Sequence, residues 1–397
     1  MRAPLHLSGD ENLNKGMKTF NTVGICDPKV HYMVNIDRQV EAAATLVRQG
    51  DYFCINRGRQ YGKTTTLAAL EECLSNEYCV FNISLEGMGD SAFASVETVC
   101  AEFLKTLKLY SRVNRSSDGV KTILKNAVPI GCLEINSVDF KEIVIELIDA
   151  SDKPLVVLID EVDQASNNDG FIKFLGLLRN MFLSRKKFPT FHSIILAGVY
   201  DIKNLKLKIR SDEDHQYNSP WNIAVPFNVP MNLPADGITG MLGDYAKEHD
   251  MVMDTVGIGQ LIYDYTSGYP FLVSRLCQLI DENDYGWNKE GVLKAVNNLL
   301  KDDNPVFSTI RDVINNDTDT ADYLQDALSG RYICYTPYVD GFDKPYHLDL
   351  ILREHTPVTI SNRIIKDYLL SFCFNKNKEP GIHEVKVGDR TIIEAIV

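Results

Sequence analysis

Two short stretches carry residue types whose spacing suits chemistry on phosphates. The first is residues 51–67, DYFCINRGRQYGKTTTL, an apolar strand running into a turn of glycines and arginines and then a helix. Its Gly62-Lys63-Thr64 match the second half of G-x-x-x-x-G-K-[ST], a loop that wraps nucleotide phosphates with backbone N–H groups. In that arrangement Lys63 reaches the β- and γ-phosphates and Thr64 holds Mg²⁺ through its hydroxyl. The helix that starts there adds unpaired N–H groups and partial positive charge. The pattern asks for glycine at position 57, where Arg57 stands, with Gly58 one place late. The turn is therefore expected from Gly58 and Gly62, with Arg57 and Arg59 beside the phosphates and Gln60, Tyr61 and Thr65 completing the loop.

The second stretch is residues 153–163, KPLVVLIDEVD. Leu155 to Ile159 is a continuous apolar run of the sort found in strands covered on both faces. It delivers Asp160 and Glu161 to the carboxyl end of the strand, where ligands sit in open parallel sheets. There the first carboxylate holds the Mg²⁺ shell and the second accepts a proton from the attacking water. Alone, an apolar run ending in Asp-Glu says little, since many strands end in acidic turns. Downstream of a phosphate loop it gains weight.

A sheet is needed to bring these residues together. Tyr52–Ile55, Tyr78–Leu85, Leu155–Ile159, Phe191–Val199 and Ser219–Val229 read as strands alternating with helical stretches, which predicts an α/β, doubly wound, mostly parallel sheet over residues 50–230. Ahead of it Ile36, Val40, Ala43, Ala44 and Val47 fall at helical spacing. The run Val30–Val34 suits either the side of an adenine ring or a plain core contact. Tyr200 and Asp201 are placed to turn a polar group towards the attacking water. Past Pro234 the texture becomes helical, with Ile238–His249, Ile258–Thr266 and Phe271–Ile280 forming a lid-like bundle interrupted at Ser267-Gly268-Tyr269-Pro270. Arg275 either folds back onto a γ-phosphate or lies on the surface with its stem on apolar neighbours. Pro305–Asn362 reads as a small helix-plus-ribbon module. The chain from Asp367 reads as two alternating strands with no helix of its own. Its Glu384-Val385-Lys386 matches the E-x-K triplet of metal-dependent nucleases, but alternating charges are what an exposed strand face carries.

Composition limits the classes. The 397 residues can bury more than one core, and 45% of them are apolar, as in ordinary globular proteins. No apolar run approaches the roughly 20 residues that span a bilayer, and no membrane partner is expected. Residues 1–19 are expected to be a leader without structure, with Met17 an alternative start and no export signal. Nine cysteines, scattered and without a C-x-x-C pair, suit the reduced thiols of a cytoplasmic protein. Eight histidines form no H-E-x-x-H. A net charge of −13 opposes unspecific attraction to DNA. Lys203, Lys206, Lys208 and Arg210 are the best candidate for a local basic patch; their alternation points first to a strand with a solvated face and second to nucleic acid.

Taken in order and spacing, GICDPKVHYMV, YFCINRGRQYGKTTTL, VVLIDEVDQ, IILAGVYDIKNL, SPWNIAVPFNV, TSGYPFLVSRLCQ and VTISNRI resemble a bacterial AAA-like ATPase family, often followed by a nuclease-like domain, over about residues 20–365. In that family the missing first glycine is usual. The resemblance implies a P-loop NTPase core (20–233) with helices on both faces of the sheet, a helical lid (234–300), a winged-helix-like module (301–365) and a β remnant of the nuclease-like domain (366–397). It implies ATP and Mg²⁺ as cofactors, Lys63 and Thr64 on the phosphates and Mg²⁺, Asp160 on Mg²⁺ and Glu161 as base. It also places the Gly268-Tyr269-Pro270 motif, with Pro270, against the nucleotide. The body of the nuclease-like domain has no room here, so any remnant is expected to be inactive.

The function expected is an ATP-dependent switch that hydrolyses slowly and reports its state to an unknown protein partner, with assembly into oligomers open. The alternative is a nucleotide-bound scaffold or DNA-associated adaptor that does not turn over. Arg179, Arg185 and Arg210 are conceivable arginine fingers. A small-molecule kinase ranks last, since no acceptor pocket can be placed.

Overall fold

Leu155–Asp160 is buried at every position because the strand it forms has a neighbour on each side and a layer of helices on each face. The computed structural model describes residues 17–166, 168–199, 221–331, 348–352, 358–374, 383–387 and 390–394, with side chains described up to residue 371. Strands β1 (Thr19–Phe20) and β2 (His31–Tyr32) pair in parallel ahead of helix α1 (Asp37–Arg48). The main sheet consists of β3 (Phe53–Asn56), β4 (Cys79–Ser84), β5 (Leu155–Asp160), β6 (Ser193–Gly198) and β7 (Val225–Pro226). Their spatial order is β4-β5-β6-β3-β7, and every pair is parallel. One strand, β6, thus separates the strand that feeds the glycine loop from the strand that ends in the acids. The expected strand over 219–229 is only two residues long among those described. Pro226 sits on it at the sheet's edge, where a missing N–H leaves no ladder bond unmade.

Period-two alternation divides the sheet between two cores. Phe53, Ile55, Val156, Leu158, Ile195 and Ala197 face one, and Cys54, Val157, Ile159, Ile194 and Leu196 face the other. The first core is filled by α1 and by α2 (Lys63–Leu74), whose Leu67, Leu70 and Leu74 are fully buried. The second is filled by α3 (Val96–Tyr110), α4 (Asp118–Ala127), α5 (Ser137–Asp149) and α6 (Asp169–Leu183). Side-chain caps start three of these: Ser95 closes a capping box on α3, Ser117 accepts from Val120 N–H, and Asn136 accepts from Val138 and Asp139 N–H. Each satisfies amides that a helix start leaves unpaired.

The helices that follow are α7 (Ala235–Glu248), α8 (Thr255–Thr266), α9 (Pro270–Glu282) and α10 (Lys289–Leu299), and they share the first core with the sheet. Pro270 opens α9 at a position that needs no N–H donor. Gly268 precedes it with φ 74°, and a Cβ there would lie 2.1 Å from the Leu233 carbonyl oxygen, so only glycine fits. Helices α11 (Pro305–Asn316) and α12 (Thr318–Leu328) come next. They are followed by the antiparallel pair β8 (Ile351–Leu352) and β9 (Thr359–Ile360).

One expectation is overturned here. The segment read as a strand from Asp367 belongs to a helix, α13 (Arg363–Phe374), and the expected boundary at 365/366 falls inside it. Ile364, Ile365, Tyr368 and Leu369 all face the core, at helical rather than alternate spacing, and Asn362 caps the start by accepting from Ile365 N–H at 2.9 Å. Burying each large aliphatic side chain contributes about 1.5–3 kcal/mol, which outweighs the β preference of the local aromatics. Only β10 (His383–Val387) and β11 (Arg390–Glu394) form the hairpin expected near Gly388-Asp389. The basic cluster at 203–210, with Tyr200 and Asp201, lies outside the described residues, as do the side chains of Glu384 and Lys386.

Candidate functional site

The loop after β3 takes its shape from its backbone. Arg57 N–H donates to Gly198 O at 3.1 Å, carrying the β3–β6 ladder one residue further. The left-handed turns fall at Gln60 (φ 57°) and Gly62 (φ 76°). Gly58, expected to share the turn with Gly62, is not among them. Its missing Cβ matters for another reason: a Cβ there would lie 2.9 Å from Leu348 O and 3.0 Å from Asp349 Oδ2. The Lys63 ammonium donates to the carbonyls of Arg57 (3.0 Å) and Gly58 (2.9 Å), which holds it at the mouth of the loop. The first turn of α2 itself contains no acidic residue to oppose the partial positive charge at its start. Open space lies beyond Gly62, where an added Cβ would meet nothing within 4 Å.

The acids arrive at the same place. Thr64 Oγ1 donates to Asp160 Oδ2 at 2.5 Å, while Asp160 Oδ1 accepts from the Glu161 N–H at 2.9 Å. Glu161 sits in the left-handed region at φ 54°, a strained place for a residue with a side chain. A short 3₁₀ turn, Val162–Gln164, follows, and Asp163 Oδ2 accepts from Val199 N–H at 2.6 Å, tying the exit of β5 to the end of β6. Burial pushes the Lys63 pKa down, opposed by Glu161, Asp163, Asp160 and Asp349. Burial pushes the Glu161 carboxyl up, the Asp160 charge adds to this, and Lys63 opposes it.

Beside the loop is a mainly apolar, partly open cleft. Met33, Val34, Tyr61, Met231, Met241 and Pro270 line it, together with Gly62 and Thr65 from the loop and α2. The Thr65 hydroxyl accepts from Cys26 N–H at 3.1 Å, which fixes the segment before β2 over the helix start. The stretch Val30–Val34 therefore contributes a wall to the cleft through Val34, which is also a core residue.

A family model described as an AAA-like domain matches residues 28–294. The chain belongs to the AAA-like domain family. Among curated proteins, none matches this AAA-like chain in sequence. Among solved structures it is similar to the Walker-type ATPase of Pyrococcus abyssi, with 12% identity and a TM-score of 0.55, over 88% of this chain and 99% of that one. That likeness establishes a common fold, a parallel sheet with flanking helices. The ORC2 protein of Aeropyrum pernix, solved in ADPNP–ADP complexes, is 13% identical over 86% of this chain and 96% of its own, with a TM-score of 0.45. The Aeropyrum pernix ORC1 protein, solved in complex with DNA, gives 11% identity and a TM-score of 0.38 over 86% and 94%. Among the described residues of the AAA-like chain no helix is long and apolar enough to cross a membrane.

The remaining sequence candidates are placed unequally around the AAA-like loop. The Arg57 guanidinium turns onto the carbonyls of Asn56 (2.8 Å) and Val229 (3.0 Å), so its side chain braces the loop against the chain leaving β7. Arg59 is exposed, and its carbonyl accepts the Tyr269 hydroxyl at 2.5 Å. Tyr269 also packs on Tyr61, ring centroids 4.3 Å apart, which fastens the Gly268-Tyr269-Pro270 turn to the loop. Gln60 Oε1 is buried without a hydrogen-bond partner. Arg275 is engaged away from the loop: it donates to Asp302 (2.7 Å) and Gln278 (2.9 Å), which fits the surface placement and not the γ-phosphate one. Arg185 donates to Gly50 O, ahead of β3 and so at the opposite end of the sheet from the loop, and Arg179 donates to Asn222. Arg210 lies outside the described residues. Residue-level reading misses Asp349 and Asp163. Asp349 is an isolated acid inside an apolar ribbon, HLDLIL, and Asp163 reads as the outer half of an acidic turn.

Proposed function

We propose that this chain binds ATP with Mg²⁺ and hydrolyses it slowly, acting as a nucleotide-dependent switch towards a protein partner. The observation that carries this reading is the Thr64–Asp160 hydrogen bond, made beside a lysine held at the mouth of the loop. A hydroxyl and a carboxylate that close together are the hard oxygen donors Mg²⁺ takes from a protein, which contributes one or two ligands and leaves the rest to phosphates and water. The fit is good in chemistry and in open space. Bound there, Mg²⁺ would neutralise charge between the β- and γ-phosphates.

The chain's own residues do the rest. The N–H groups at the start of α2 and the Lys63 ammonium bind the phosphates. The cleft between Val34, Met241 and Pro270 takes the adenine ring by burial rather than by hydrogen bonds, which suits a flat apolar surface. Glu161, its pKa raised by burial, accepts the proton of the attacking water. Asp163 keeps the end of β6 aligned with that acid turn. Phosphate release from ATP by the purified chain tests the reading. Release that stops on chelation with EDTA and returns with added Mg²⁺ is expected. Release indifferent to EDTA, or none under any condition together with no ATP binding, contradicts it.

A second reading, a nucleotide-bound scaffold that does not turn over, is favoured by Arg179, Arg185 and Arg275 all being bonded to other groups. Turnover per chain that rises with protein concentration would instead mean that a neighbouring copy supplies the arginine.

A further inference from the structure

One amide of the phosphate loop has a partner far along the chain. Gly58 N–H donates to the Asp349 carboxylate, 291 residues away in sequence, in a short, tight contact. Gly58 lacks a Cβ at the point where the Leu348 carbonyl presses closest, so the loop and the segment before β8 are fitted to each other. Asp349 itself adopts φ 55°, a left-handed conformation that non-glycine residues seldom hold unless their surroundings fix it. Leu348 and Leu350, both buried, clamp it from either side, and Ser361 N–H holds the Leu350 carbonyl at 2.9 Å. The result is a carboxylate aimed at the phosphate loop.

Its carboxylate stands among the loop amide and two basic side chains, in a site that burial makes costly for charge. Burial pushes the Asp349 carboxyl up, and the Gly58 N–H, Arg57 and Lys63 oppose this in favour of the charged form. The same Lys63 ammonium is bonded to the Gly58 carbonyl, so Asp349 and Lys63 meet on one turn of the backbone. The segment carrying Asp349 is anchored independently of the loop. Its strand β8 pairs with β9, and β9 leads directly into α13. There Tyr368 stacks on Phe307 at 3.9 Å and Arg363 lies 4.5 Å over the Tyr265 ring of α8.

We propose that Asp349 is an autoinhibitory latch: its carboxylate takes the place of a phosphate at the first turn of the loop, and the phosphates of a nucleotide must displace it. Two anions sharing one lysine and one amide in a half-buried site repel, so the loop holds either the latch or the triphosphate. Displacement frees the β8 end of the segment while α13 stays docked on α8. Nucleotide occupancy is thereby converted into a movement of residues 348–352. The inference rests on the ATP-binding reading above, and it adds a control to it.

The test uses the full chain in three forms, wild type, Lys63→Ala and Asp349→Asn, titrated calorimetrically with ATP and with adenosine. Asparagine can still accept the Gly58 N–H but carries no charge. Asp349→Asn is expected to tighten ATP binding by about tenfold or more and leave adenosine unchanged, since one charge pair relieved is worth from roughly fivefold in bulk water to about 10³-fold near a protein surface. In the wild type, ATP but not adenosine is expected to speed amide exchange at residues 348–352. Unchanged or weaker ATP binding by Asp349→Asn, while Lys63→Ala has lost it, overturns the latch and leaves the nucleotide site standing. Equal tightening for adenosine overturns it too, since that is general loosening. ATP affinity that is the same in Lys63→Ala and wild type removes the nucleotide site, and the latch with it. Amide exchange at 348–352 that ATP leaves unaltered overturns the latch even where Asp349→Asn folds poorly.

Discussion

Lys63→Ala removes ATP binding, by roughly 100-fold or more in affinity. The side chain is buried, and its ammonium is already in place at the carbonyls of Arg57 and Gly58, ahead of the helix whose amides face the same space. A hydrogen bond to a charged group contributes about 1.5–3 kcal/mol, and the phosphates offer this ammonium more than one. With about 1.4 kcal/mol to each factor of ten, two such bonds account for the expected loss. The substitution also leaves two loop carbonyls without their donor, so a thermal melt belongs beside the titration. A folded Lys63→Ala protein with unchanged ATP affinity would refute the phosphate cradle.

Glu161→Gln keeps ATP binding and lowers phosphate release by about 10²–10⁴-fold, the range typical of general acid–base catalysis. Glutamine has the shape of the glutamate and can hold the same left-handed turn, so the substitution acts on the proton rather than on the fold. The direction of the pKa shift is informative. Burial and then the Asp160 charge raise the Glu161 carboxyl, which makes it a better proton acceptor than an exposed glutamate, while Lys63 opposes the rise. Affinity is expected to stay level or tighten, because one negative charge beside the triphosphate has gone. Radiolabelled phosphate release matching wild type would remove Glu161 from the base role and leave it a structural residue of the acid turn.

Much of the site is legible in the sequence because its parts are local. Gly62-Lys63-Thr64 lie on three successive residues, and the run Leu155–Ile159 is apolar at every position because both of its faces are covered. Neither signal depends on long-range packing. The helix α13 escapes for a different reason. DYLLSFCF has the texture of a strand when read from Asp367, and only the preceding Ile364-Ile365 with the Asn362 cap show the helical period. A window opened at Asp367 excludes both.

The arginines show another kind of limit. Position in the chain puts Arg57 and Arg275 near the phosphates, but the Arg57 guanidinium finds backbone carbonyls at Asn56 and Val229, and Arg275 finds Asp302. Long side chains reach several partners, and sequence does not choose among them. Gly58 is a similar case. Its neighbours in the chain suggest a turn residue, whereas its small size answers to Leu348 and Asp349, a contact between segments that no local pattern records.

The most direct measurement is a crystal structure of the full chain with Mn²⁺ in place of Mg²⁺ and a non-hydrolysable ATP analogue, read by the anomalous signal of the metal. One metal peak is predicted in contact with the Thr64 hydroxyl and next to the Asp160 carboxylate, with the triphosphate over Gly62–Thr64 and Lys63 on its outer phosphates. A metal or nucleotide bound at a distance from Thr64 and Asp160, or a loop that stays empty at saturating analogue, contradicts the account.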